Sequence, residues 1–60
     1  MNIHLAKALK ELPALREVPS AAQVEAAPNG TRWSGVLKDG DWALVKNGPD
    51  SFTTHVGTND

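Results

Sequence analysis

His4 and His55 are the only histidines of a 60-residue chain that has no cysteine, and they are the natural starting point for any metal or acid–base chemistry. No His-x-x-x-His pair and no carboxylate-rich loop accompanies them, so the ligand spacings of zinc and calcium sites are missing. Asp39, Asp41 and Asp50 fall near turn signals and could converge at one end of a hairpin. Two carboxylates do acid and base work when one is desolvated. Sixty residues leave little material for a pocket around them, and turn chemistry accounts for Asp39 and Asp50 without catalysis. Ser20, Ser34, Ser51 and the threonines pair with a histidine only on paper, because no nucleophile-elbow pattern is present. The glycines stand singly and do not form a phosphate loop. The expectation is a chain with no catalytic residue, no metal ligand and no cofactor; an enzyme is the third reading, behind the two binding ones, with a substrate screen against Asp41 or His55 substitutions as its test.

Two other groups of side chains point to binding. Trp33 and Trp42 with Arg32, Lys38 and Lys46 would make an aromatic–basic surface able to stack bases or to hold a sugar or peptide. The same tryptophans are also the largest residues available for a core. Leu5, Leu9 and Leu12 recur at i, i+4 and i+7 and share one helix face, which either covers a sheet or docks on a partner.

Composition narrows the classes. Six Lys and Arg against seven Asp and Glu give a formal charge of −1, so the electrostatic support for nucleic-acid binding is weak. No apolar run reaches the length of a membrane span, and Lys7, Lys10 and Glu11 interrupt any signal-peptide core. A small soluble protein of the cytoplasm, with no membrane partner, is expected. Asn29-Gly30-Thr31 fits the glycosylation tripeptide, but no export signal accompanies it. A domain of this size buries only about 60% of the surface its unfolded chain exposes. With no disulfide to staple it, a partner protein or a second copy is the stabiliser to expect.

The elements that must position these groups follow from punctuation and period, in one domain spanning residues 1–60. Residues 2–18 read as a helical segment capped by Asn2, broken near Pro13 and closed by Pro19. The segment after the break is either a separate helical turn or the far arm of one kinked helix. Residues 19–30 are a connector or a short helix opened by the Ser20/Gln23 capping box. Residues 31–56 alternate as an antiparallel hairpin or meander, followed by a tail at 57–60, and Met1 is a loose terminus. Asp39-Gly40 predicts a two-residue type I′ turn that sets Leu37 opposite Trp42 and Gly35 opposite Leu44. Trp33, Leu37, Trp42 and Leu44 then share one sheet face, and Val36, Ala43 and Val45 share the other. Asn47-Gly48-Pro49-Asp50 is a second turn signal, and Phe52 falls opposite Leu44 if the loop there has three residues, or opposite Val45 if it has four.

The fold expected is therefore α+β, an N-terminal amphipathic helix followed by a two- or three-stranded antiparallel meander. The function expected is a non-catalytic protein–protein interaction or structural accessory role, as a homo-oligomer or on a larger partner. Leu5, Leu9, Leu12, Trp33, Val36, Trp42 and Val45 are the interaction residues of that reading. The alternative is a small nucleic-acid or ligand-binding module using Arg32, Trp33, Lys38, Trp42 and Lys46. If the leucine helix covers the tryptophan face, the Val36/Ala43/Val45 face is left for a partner.

Overall fold

A computed structural model describes residues 2–58. Asn2 caps the first helix, α1 (Ile3–Glu11), its Oδ1 accepting from the amides of His4 at 2.8 Å and Leu5 at 3.4 Å. Pro13 disfavours helical geometry at the residue before it, and Leu12 is extended at φ −92°, ψ 152°. The helix stops there, short of the 2–18 segment expected. Between Pro13 and Pro19 too few residues remain to propagate a helix. That stretch forms a single turn, with the Val18 amide donating to Leu15 O at 3.3 Å.

The second helix, α2 (Ala21–Ala26), carries the full capping box. The Gln23 amide donates to Ser20 Oγ at 3.3 Å, and the Ser20 amide donates to Gln23 Oε1 at 2.9 Å. Val24 is its buried anchor. Gly30 takes φ +92°, a left-handed conformation that other residues rarely adopt, and turns the chain into the sheet.

Three antiparallel strands follow in the order β1 (Arg32–Leu37), β2 (Gly40–Gly48), β3 (Ser51–Thr58), which is the α+β meander expected. The register corrects two details. Lys38 and Asp39 form the first turn, with Leu37 opposite Gly40 and Gly35 opposite Trp42, and neither turn residue has positive φ, so the turn is not type I′. The indole of Trp42 explains the choice. It lies flat across Gly35, where an added Cβ would sit 2.8 Å from Cε2. Because the pairing is displaced by two residues rather than one, each face keeps the members expected of it.

In the second hairpin Pro49 and Asp50 make the turn, and a bulge between Lys46 and Gly48 sets Phe52 opposite Lys46. Phe52 thus lies on the Trp42 face, two residues of β2 nearer the turn than the three-residue loop would place it. β3 runs on through Thr58, beyond the expected end at Val56, because Asp41 and Gly40 of β2 supply partners for Gly57 and Thr58. Met1, Asn59 and Asp60 lie outside the described residues.

Both helices pack on the Trp42 face. Leu5, Ala8, Leu12, Val24, Trp42 and Leu44 form the core, and Leu9, Val18, Ala21, Trp33, Leu37 and Phe52 pack around it. α1 lies chiefly along β3. Asn2 Nδ2 donates to Pro49 O and to Asp50 Oδ1, and Thr54 Oγ1 bonds Glu11 Oε2 at 2.7 Å, so the helix is tied to the sheet at both ends.

Candidate interaction face

The alternation of a pleated strand puts the remaining side chains on the uncovered face. Its rows follow from the pairing: Arg32, Val45 and Thr53; then Ser34, Ala43 and His55; then Val36, Asp41 and Gly57. The small side chains of Ser34 and Ala43 leave a shallow depression of about 360 Å³, walled by Arg32, Val36, Asp41 and His55. Val36 stands 87% exposed at its edge.

Asp41 and His55 meet diagonally across β2 and β3, with Nε2 3.2 Å from Oδ1. Gly57 makes room for them, since a Cβ there would lie 2.8 Å from Nε2. The side chains are 66% and 61% exposed, so water screens the pair. Ser34 shares the row of His55 with Ala43 between them, which separates their backbones by two strand spacings, about 10 Å. Asp41, His55 and Ser34 are therefore gathered on one face without the contact between base and hydroxyl that nucleophilic catalysis requires. Asp50 lies at the opposite end of the sheet from Asp39 and Asp41, so the three carboxylates do not converge. Among the described residues no group of three or more His, Asp or Glu side chains is placed to hold a metal ion.

Of the residues expected to form an interaction surface, Leu5, Leu12 and Trp42 are buried, and Leu9 and Trp33 are half-buried against the core. Val36 and Val45 belong to the uncovered face, Val45 half-buried. The aromatic–basic surface does not assemble. Trp42 is 1% exposed and Lys46 6%, while Arg32 projects from the other face and Lys38 sits in the turn.

Lys46 has a different occupation. Its Nζ donates to the carbonyls of Val24 at 2.9 Å, Glu25 at 3.1 Å and Ala27 at 2.8 Å, closing the C-terminus of α2 from the sheet. Those carbonyls are among the last of a helix that has no basic residue in its own final turn. The signal was available in the sequence: Trp42, Leu44 and Lys46 alternate in phase, so Lys46 faces the same side as the two core residues.

No helix among the described residues is long and apolar enough to cross a membrane. The chain matches no family model, no curated protein and no solved structure.

Proposed function

We propose that this chain is a non-catalytic interaction domain whose uncovered sheet face receives a protein partner. The observation that carries the reading is the one-sided architecture: both helices lie on the Trp42 face, and the opposite face keeps Val36 87% exposed, with a buried Ala43 and a half-buried Val45 further along it. A sheet in a packed domain has its apolar residues covered by a second layer. Here the second layer on that side would be supplied by another protein, with Arg32 and Asp41 as polar contacts at the rim. Catalysis finds no support in the same groups, since the Asp41–His55 pair is open to water and Ser34 stands two strands away.

Site-specific photo-crosslinking in the producing cell tests this. A crosslinker at Val36 is expected to give discrete adducts with other proteins that excess unlabelled chain competes away, whereas the same group at Lys7, on the solvent side of α1, gives none. Equal, uncompeted labelling from both positions would remove the proposal.

A further inference from the structure

The two edges of the sheet differ. β3 pairs with β2 across a bulge that β2 carries at Asn47, lies along α1 and is tied to it through Thr54 and Glu11. β1 pairs continuously from Arg32 to Leu37, has no bulge and no proline, and its outer side is the edge of the sheet. Such an edge is a template for another strand.

Its hydrogen-bonding phase can be read. The Lys46 amide donates to Thr31 O at 2.9 Å, and antiparallel partners alternate between bonded and non-bonded pairs. Trp33, Gly35 and Leu37 therefore direct their N–H and C=O toward β2. Arg32, Ser34 and Val36 direct theirs outward.

We infer that β1 pairs with β1 of a second copy, antiparallel about a twofold axis at Ser34, joining the two sheets into one. This is the register in which every outward N–H meets an outward C=O: Ser34 faces itself and Arg32 faces Val36 of the second copy. The side chains are complementary in that register. On the helix side Trp33 falls opposite Gly35 of the second copy, across which that copy's own Trp42 indole lies, so the two indoles meet at the seam. On the uncovered side the aliphatic stem of Arg32 lies over the exposed Val36 of the second copy. Asp41 is the β2 partner of Val36, so the guanidinium reaches toward the carboxylate of the second copy's Asp41. Among the described residues Arg32 has no ion-pair partner in its own chain. The twofold axis repeats each contact. A strand-edge interface lies at the small end of specific interfaces, so association is read over a wide range of concentration.

Sedimentation equilibrium of the full chain, from low micromolar to millimolar concentration, reads the association. Ser34→Pro removes an outward amide without touching the β2 ladder, and is expected to give a monomer with an unchanged circular dichroism spectrum. Arg32→Glu places like charges together and is expected to weaken association about tenfold. Adding Asp41→Arg restores it, which a loss of folding would not allow. A wild-type chain that stays monomeric at millimolar concentration overturns the inference. So does a dimer indifferent to Arg32→Glu, even if Ser34→Pro fails to fold. The edge and the face fail separately: a monomer that still gives competed Val36 adducts with other proteins overturns the dimer alone.

Discussion

Successive residues of β2 belong to two different environments. Trp42, Leu44 and Lys46 face the helices and are buried, while Asp41, Ala43 and Val45 face outward on the same backbone. On the covered side each group has its place set by partners: the indole by Gly35, the leucine by the core, and the lysine by three helix carbonyls. On the uncovered side the Asp41–His55 contact is more than half exposed. The contrast separates two jobs that larger proteins give to different segments. Packing on one face holds the fold, and the other face is left for the recognition proposed above, so substitutions on the two faces should differ sharply in cost.

The largest effect is expected from Trp42→Ala. Emptying the space of a buried tryptophan costs about 3–5 kcal/mol. A core of this size supplies rarely more than about 3–5 kcal/mol in total. The variant should therefore be unfolded at room temperature, with collapsed amide dispersion in its NMR spectrum. A cooperative melting transition would show that the covered face is less decisive than its burial implies.

Lys46→Met comes next. It keeps the length of the side chain but leaves the Val24, Glu25 and Ala27 carbonyls facing an apolar group, at a cost of about 2–3 kcal/mol. Hydrogen exchange should show α2 losing protection before the sheet does. If protection in α2 is unchanged, Val24 alone anchors that helix. Gly35→Ala should follow at about 1–3 kcal/mol, because its Cβ displaces a fully packed indole. Its readout is urea denaturation together with a shift in tryptophan emission. An unaltered emission spectrum would mean that the indole does not rest on Gly35.

These costs also mark where the sequence was legible. The membership of each face followed from alternation, and it survived an error in register because a two-residue slip preserves parity. Asn2, Pro13 and the Ser20/Gln23 box marked helix ends through local chemistry, which needs no knowledge of the fold. The register itself depended on which indole takes the space over Gly35, a contact between strands that a glycine makes room for but does not assign. Lys46 read as a surface cation because lysine is rarely buried, and only its phase with Trp42 and Leu44 argued otherwise. The meeting of Asp41 with His55 required the pairing of β2 with β3, and the bulge at Lys46 and Gly48 made that pairing unreadable from loop length.

Asp41→Asn should produce the smallest change. An exposed pair of this kind contributes about 0–1 kcal/mol, and the amide can still accept a hydrogen bond from the His55 ring. Stability measured by urea denaturation, at concentrations low enough to keep the chain monomeric, should stay within about 0.5 kcal/mol of the wild type. Association should weaken in the same variant, because the carboxylate that Arg32 of a second copy would approach has lost its charge. A stability loss well above 1 kcal/mol would tie Asp41 into the fold. The uncovered face would then be part of what holds the sheet together, and the division of labour between the two faces would fail where it is most exposed to test.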